Sequence, residues 1–195
     1  RKRTMTLIVI SGKARSGKNT LGEILKRKFK ENYFEMAYAN ELKRRLREDF
    51  DLSREQLYGD LKEVPDKRYR KITDKDEVVY WTPREIMQFM GTEAFRTIDD
   101  NFWVKQLFKY IDRNKLKNVI ITDGRFPSEI NAVKERGGIH IRIERDHSMQ
   151  VHGQAHASEV SLDGYTEADY NIFNHGTIAE LEVIAETIIK EIENG

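Results

Sequence analysis

The sequence contains no cysteine among its 195 residues, which excludes both a disulfide framework and a cysteine-ligated metal site. Long hydrophobic runs are also missing, and a transmembrane helix would need about 20 apolar residues in succession. Net charge is nearly absent, because 34 basic and 33 acidic side chains leave only +1. That balance argues against a general nucleic-acid coat protein. We therefore expect a cytoplasmic protein that binds neither a membrane nor polymeric nucleic acid.

Short apolar runs alternate with segments of helical periodicity, which is typical of an α/β fold with a mostly parallel sheet. The runs predict strands at 5–11, 34–39, 118–123, 139–145 and 169–174. Helical spacing of apolar residues predicts helices from Lys18 to about Lys30, from Pro127 to Arg136 and over 177–192. With 38% hydrophobic residues, a chain of this length can bury the core of one domain.

Two segments interrupt this alternation of strands and helices. Residues 41–113 form a long, mainly helical insertion, too long for an ordinary connection. Within it, Thr82, Pro83 and Glu85 predict a helix that starts with a capping box. Residues 146–168 are polar and aperiodic, and predict a loop that could close over a site. We therefore expect a single domain, 1–195, whose core comprises 1–40 and 114–195.

The stretch SGKARSGKNT (11–20) follows the first predicted strand and has the spacing of a phosphate-binding loop. Backbone N–H groups in such a turn, together with the amino end of the next helix, form a nest for phosphate oxygens. Lys18 would add a positive charge at the β- and γ-phosphates of a nucleotide. The residues predicted to bind ATP are Gly12, Lys13, Ala14, Arg15, Ser16, Gly17, Lys18, Asn19 and Thr20.

Asn19 occupies the position where a serine or threonine normally contacts the metal ion of such a loop. Asparagine can offer a neutral oxygen to Mg²⁺ or to its waters, and Thr20 can supply a hydroxyl. Asp123 ends the predicted strand 118–123, at the sheet edge where ligands bind in open α/β folds. The predicted magnesium ligands are therefore Asn19, Thr20 and Asp123. The alternative for Asp123 is a cap on the helix that begins at Pro127.

Phosphoryl transfer needs several positive groups around the transferred phosphate. Arg125 lies two residues after Asp123 and suits bidentate phosphate recognition, and Glu129 could orient it. The other candidates are Arg15, Lys43, Arg84, Arg96, Arg142 and Arg145. For each of them, the alternative is a solvated surface position.

Two further groups of side chains admit a binding role and a simpler one. Trp103 could stack on a base beside the acceptor or pack in the core. His147, His152 and His156 lie on the polar loop 146–168. A zinc site there is a weak alternative, because the loop lacks the regular spacing and the cysteines of structural zinc sites.

Seven segments together resemble the bacteriophage deoxynucleoside monophosphate kinases, a branch of the P-loop nucleoside monophosphate kinases. They are SGKARSGKNT, YANELK (38–43), LYGDLKE (57–63), TPREIMQFMGTEAFR (82–96) with WV (103–104), TDGRFPSEI (122–130), HASE (156–159) and DYNIFNHGTIAEL (169–181). The resemblance implies a P-loop NTPase three-layer sandwich with a parallel five-stranded sheet in the order 2-3-1-4-5. It also implies an acceptor-binding insertion at 41–113 and a lid at about 146–168.

The same resemblance implies roles for individual residues. Lys18 and Thr20 would bind ATP and Mg²⁺. In the family the residue after the P-loop lysine is usually aspartate, so Asn19 departs from the family pattern. The catalytic candidates are Lys18, Asp123, Arg125 and Arg145. The resemblance puts Arg96, Trp103, Asp123, Arg125 and Glu129 on the acceptor side. With the basic candidates above, the residues predicted to bind the acceptor are Lys43, Arg84, Arg96, Trp103, Arg125 and Glu129.

The resemblance implies phosphorylation of a deoxynucleoside monophosphate to the diphosphate at the expense of ATP. The enzyme would act in the host cytoplasm if a phage encodes it, and a homodimer is compatible with the sequence. Eukaryotic-type phosphomevalonate kinases share the glycine-rich start and the Asp-x-Arg segment, so they are the nearest alternative. A P-loop ATPase without an acceptor is a third hypothesis, and a non-catalytic interaction protein a fourth.

Overall fold

The computed structural model describes residues 6–73, 77–145 and 161–194. The chain divides into two compact units, one formed by residues up to Tyr38 and from Leu107 onward, the other by Ala39–Gln106. These divisions lie near the ends of the predicted insertion 41–113. Most of the predicted lid, residues 146–160 with their three histidines, lies outside the described residues.

The first unit is built on a parallel five-stranded sheet in the order β2-β3-β1-β4-β5, which confirms the predicted order. Its strands are β1 (Thr6–Ser11), β2 (Phe34–Met36), β3 (Asn118–Gly124), β4 (Ile139–Glu144) and β5 (Tyr170–Phe173). The central strand, β1, and its neighbour β3 are buried along almost their whole length. Strands covered on both faces read as continuous apolar runs, which is why MTLIVI and NVIIT were recognisable in the sequence.

Eight α-helices of the described residues connect these strands or follow the last of them. In chain order they are α1 (Lys18–Lys28), α2 (Ala39–Asp49), α3 (Arg54–Tyr58), α4 (Pro83–Gln88), α5 (Phe95–Ile98), α6 (Phe102–Arg113), α7 (Pro127–Glu135) and α8 (Ile178–Asn194). A 3₁₀ turn covers Asp60–Glu63, and a π-helical segment, Phe89–Ala94, joins α4 to α5. Among the described residues, no helix combines the length and the apolarity needed to cross a bilayer.

Three layers result from the way these helices cover the two faces of the sheet. Ile8 and Ile10 of β1 share one buried cluster with apolar residues of α1 and α8. Val9 points to the opposite face, because successive side chains of a strand alternate. There Ile130 of α7 and Val9 approach Gly124 so closely that a Cβ at that glycine would lie 2.7 Å from Val9 and 3.0 Å from Ile130.

The second unit contains the predicted capping box at the start of α4. Thr82 Oγ accepts from the backbone N–H of Glu85 at 3.2 Å, and the Glu85 carboxylate accepts from the backbone N–H of Thr82 at 2.8 Å. The π-helical segment that follows was not predicted. It has a wider turn than an α-helix, and the carbonyl of Gly91 within it accepts a hydrogen bond from the Trp103 indole at 2.8 Å.

His140 of β4 is fully buried. Its Nε2 lies 2.7 Å from Ser11 Oγ, and its backbone N–H donates to Asp169 at 2.7 Å. The ring of Tyr165 lies edge-on against it, with ring centroids 5.6 Å apart. Burial lowers the pKa of His140 from 6.5 to about 4, so the imidazole is neutral at pH 7.

We expect the free energy of unfolding to fall when the pH is lowered from 7 to 5. Below pH 6.5 the unfolded chain binds a proton at His140 that the folded protein does not bind until about pH 4. The loss attributable to this side chain is about 2 kcal/mol at pH 5. Urea titrations at the two pH values would measure it. His140→Gln should show a smaller difference, and the exposed-site control His175→Gln should match the wild type.

Candidate active site

The glycine-rich loop between β1 and α1 has the conformation that a phosphate cradle requires. Gly12, Arg15 and Gly17 have positive φ angles of 152°, 61° and 104°. A Cβ at Gly12 would lie 2.2 Å from the carbonyl oxygen of Ile143 in β4. Only glycine fits at this position, because both the backbone angle and the space exclude a side chain.

Lys18 is the first residue of α1, directly after the left-handed Gly17. Its Nζ donates to the carbonyl oxygens of Gly12 at 2.6 Å and Lys13 at 2.7 Å, so the ammonium group lies against the loop. The positive end of the helix dipole is at the same place. Asn19 is exposed and Thr20 partly exposed on the first helical turn, where both can reach a ligand of the loop. The loop and the helix start therefore provide a site for an anion.

Asp123 lies near the end of β3, at the carboxyl edge of the sheet. Its Oδ1 accepts from the backbone N–H of Tyr38 at 2.7 Å, which joins the end of β3 to the chain that leaves β2. The alternative, a cap on α7, is not what the structure contains. The residue that precedes α7 is Phe126, and the carboxylate that caps the helix belongs to Glu129.

Glu129 is buried, with 3% of its surface exposed. Its Oε2 accepts from the backbone N–H groups of Arg125 at 2.7 Å and Phe126 at 3.1 Å. Its own carbonyl accepts from the Tyr38 hydroxyl at 2.9 Å. Glu129 therefore contacts Arg125 through a hydrogen bond from the Arg125 backbone N–H. This bond fixes the backbone turn that carries the Arg125 side chain.

A small cleft of about 20 Å³ lies where the carboxyl ends of β1 and β3 meet. Gly12 and Lys13 line it from the phosphate-binding loop, and Gly124 and Arg125 line it from the end of β3. Arg142 of β4 also lines it and donates to the carbonyls of Leu162 at 3.1 Å and Tyr165 at 2.6 Å. Two segments predicted to bind phosphates, far apart in sequence, thus share one cleft in the first unit.

The described end of the predicted lid lies at this cleft. Asp163 pairs with Lys13 at 3.2 Å, and both side chains are about half exposed. Ser161 donates a hydrogen bond to the carbonyl of Arg125. An exposed ion pair of this kind contributes little to stability, so the turn 161–165 is held at the cleft mainly by the hydrogen bonds from Arg142 to the carbonyls of Leu162 and Tyr165.

The turn after β5 touches the other side of the phosphate-binding loop. Asn174 Nδ2 donates to the carbonyl of Ser16 at 2.8 Å, in a buried hydrogen bond. A guanidinium nitrogen of Arg145 lies 3.3 Å from where a Cβ of Gly176 would be. Sequence reasoning missed Asn174. Its position at the end of the predicted strand 169–174, at the ligand-binding edge of the sheet, was the available signal.

Comparison with known proteins places the chain in a family. The family model for deoxynucleotide monophosphate kinase matches residues 61–184. The chain belongs to the deoxynucleotide monophosphate kinase family. It is therefore a phosphotransferase that uses ATP and acts on a nucleotide, as the resemblance in the sequence had implied.

Two viral proteins and one solved structure are similar to the chain. A protein of Acanthamoeba polyphaga mimivirus that carries a provisional deoxynucleotide monophosphate kinase name is 32% identical over 193 residues, which covers 90% of this chain and 92% of that protein. An uncharacterized protein, ORF77, of Ictalurid herpesvirus 1 (strain Auburn) is 34% identical over 103 residues, covering 51% of this chain and 44% of that protein. Shikimate kinase from Aquifex aeolicus vf5 shares the fold, with a TM-score of 0.50 and 16% identity over 97% of this chain and 99% of its own.

The family match includes the π-helical segment and the side chains around it in the second unit. Trp103 is buried, with 3% exposed, and its ring contacts Phe95 and Phe102 edge-on at 5.2 and 4.8 Å between centroids. Arg96 is 9% exposed and donates to the carbonyl of Asp100 at 2.8 Å. Trp103 therefore packs in the core of the second unit, and its indole N–H also binds the Gly91 carbonyl. A role of Trp103 in base stacking stays a prediction.

The remaining acceptor candidates of the kinase lie on the surface of the second unit. Lys43 Nζ lies 4.0 Å above the centroid of the Tyr58 ring, a cation–π contact. Arg84 is half exposed and pairs with Glu63. Neither contact tests binding of a substrate, so both roles stay predictions. No cluster of three or more metal-ligating side chains is present in the described parts of the chain. His147, His152 and His156 lie outside those parts, so the weak zinc alternative stays a prediction.

Proposed function

We propose that this kinase transfers the γ-phosphoryl group of ATP to the phosphate of a deoxynucleoside 5′-monophosphate. The observation that carries the proposal is the pairing of a formed phosphate-binding loop with the family match over 61–184. The family match favours a nucleotide acceptor over phosphomevalonate. The shared cleft between the loop and Arg125 favours transfer to an acceptor over simple ATP hydrolysis.

In the proposed reaction, an oxygen of the acceptor phosphate forms a bond to the γ-phosphorus. The bond from that phosphorus to the β–γ bridging oxygen breaks, and ADP leaves with the electron pair. The attacking oxygen is already anionic, so no strong general base is needed. The chain supplies positioning and charge: Lys18 and the loop N–H groups hold the phosphates, while Arg125 and Arg145 balance charge near the transferred group.

The residues at the loop fit a magnesium-bound nucleotide. The Asn19 and Thr20 side chains on the first turn of α1 offer neutral oxygens, and Asp123 offers a carboxylate at the adjoining strand end. Mg²⁺ needs few protein ligands and would neutralise charge on the β- and γ-phosphates. With asparagine at position 19, we propose that Asp123 is the only one of the three that brings negative charge to the metal.

We propose that Arg125 and Glu129 of the first unit bind the acceptor. For Lys43, Arg84, Arg96 and Trp103 of the second unit we propose an acceptor-binding role as well. Glu129 would contribute through the Arg125 backbone that it holds. The nearly neutral charge of the chain supports a nucleotide rather than a polymeric nucleic acid as the partner. We further propose action in the cytoplasm, that of the host cell if a phage encodes the enzyme, and a homodimer as the assembly to be tested.

An acceptor panel would test the proposed function. ATP consumption should be stimulated at least about tenfold by one or more deoxynucleoside monophosphates. Ribonucleoside monophosphates and phosphomevalonate complete the panel. Stimulation by phosphomevalonate alone would identify the rival kinase. ATP hydrolysis that no monophosphate stimulates would contradict the proposal and indicate a P-loop ATPase.

A further inference from the structure

Asn174 connects three segments that meet at the phosphate-binding loop. It is 9% exposed and follows directly after β5. Its backbone N–H donates to the carbonyl of Glu144 at the end of β4, at 2.8 Å. Its side-chain Nδ2 donates to the carbonyl of Ser16 at 2.8 Å, and its Oδ1 accepts from the backbone N–H of Gly176 at 3.1 Å. Because one amide atom meets an acceptor and the other a donor, the orientation of the amide is fixed by its partners.

The contact with Ser16 determines which way one peptide group of the loop faces. In a planar trans peptide, the carbonyl of Ser16 and the N–H of Gly17 point in opposite directions. With the carbonyl directed at Asn174, the Gly17 N–H points to the opposite side. A peptide flip would reverse both groups and present a carbonyl oxygen, instead of a donor, to a phosphate.

Gly17 makes the close approach of Asn174 possible. A Cβ at Gly17 would lie 2.6 Å from Asn174 Nδ2, so a side chain at position 17 would displace the amide. Gly17 also has a φ of 104°, which favours glycine for a separate reason. The absence of a side chain at position 17 therefore serves both the backbone turn and the hydrogen bond that holds it.

We propose that Asn174 is a positioning residue that holds the Ser16–Gly17 peptide with its N–H facing the phosphates of ATP. It acts through the loop backbone and touches neither the phosphates nor the acceptor. The proposal rests on the proposed use of ATP at this loop. It predicts that loss of the Asn174 amide weakens binding of the phosphate chain and leaves use of the acceptor unchanged.

The test compares Asn174→Ala and Asn174→Asp with the wild type. Asn171→Ala and Asn171→Asp, at an exposed position of the same strand, are matched controls. We expect Asn174→Ala to raise the KM for ATP about tenfold, with kcat and the acceptor KM within twofold. Asn174→Asp should raise it further, because a carboxylate oxygen would face the Ser16 carbonyl and add negative charge near the phosphates. Both control variants should match the wild type.

Tripolyphosphate, measured as a competitor of ATP, separates positioning of the loop from a contact with the base. We expect its inhibition constant to rise by the same factor as the KM for ATP, since both depend on the loop. A rise for ATP alone would overturn the proposal and indicate a base contact. An ATP affinity within twofold of the wild type in the folded variants, measured by calorimetry with magnesium, would also overturn it. If the wild type binds ATP but phosphorylates no monophosphate, the proposed function fails while the calorimetric comparison still decides the role of Asn174.

Discussion

Replacing Lys18 with alanine is expected to lower kcat by about a hundredfold to a thousandfold, the cost typical of removing one preorganised donor from a transition state. The Lys18 ammonium lies within 2.7 Å of the Gly12 and Lys13 carbonyls, so it is held at the mouth of the loop. There it can neutralise the charge that moves onto the β–γ bridging oxygen as the bond breaks. The measurement is a coupled assay with saturating ATP and deoxynucleoside monophosphate.

The fold should survive the Lys18 substitution, because the side chain is only partly buried and Gly17 still begins the helix. Lys26→Ala is the matched control, since Lys26 is an exposed lysine of the same helix. Its kcat and thermal midpoint should equal those of the wild type. Full activity of Lys18→Ala would remove the assignment of the loop as the site of phosphoryl transfer.

Replacing Arg125 with alanine is expected to lower kcat/KM for the deoxynucleoside monophosphate by about ten- to a hundredfold. This corresponds to a charge-assisted hydrogen bond of about 1.5–3 kcal/mol. Arg125 lines the cleft beside Gly12 and Lys13, and its backbone N–H is held by the buried Glu129 at 2.7 Å. The KM for ATP should change by less than about threefold if the guanidinium serves the acceptor.

Two further variants sharpen the Arg125 test. Arg125→Lys keeps the charge and loses the planar fork, so it should recover only part of the lost activity. Arg113→Ala, at an exposed position at the end of α6, should behave as the wild type does. An equal loss of ATP affinity and acceptor use in Arg125→Ala would contradict the assignment to the acceptor side.

Local signals in the sequence were enough for most of the fold and for the phosphate-binding loop. The central strands could be located because a strand buried on both faces must be apolar throughout. Thr82 and Glu85 located a helix start, since a capping box acts within four residues. The spacing of Gly12, Gly17 and Lys18 was recognisable because a phosphate cradle depends on backbone angles that glycine favours. The strand order came from the family resemblance rather than from any local pattern.

What local signals could not supply were contacts between residues far apart in the chain. The sequence predicted that Glu129 orients Arg125. It did not show that the Glu129 carboxylate accepts from the backbone N–H groups of Arg125 and Phe126, because that contact depends on how α7 follows β3. The π-helical turn at Gly91 was hidden, because the residues around it have ordinary helical spacing.

The sequence by itself determined that the chain forms a parallel α/β core with a phosphate-binding loop, because each of those features is encoded within a few neighbouring residues. Only the tertiary structure decided that Asp123 accepts the Tyr38 N–H, that His140 is buried against Ser11, and that Asn174 holds Ser16. These contacts join residues between 85 and 158 positions apart. The contacts of Asp123 and Asn174 exist because the parallel sheet brings the carboxyl ends of its strands to one edge, where loops from distant parts of the chain pack together. His140 meets Ser11 because β4 pairs with β1 inside the sheet.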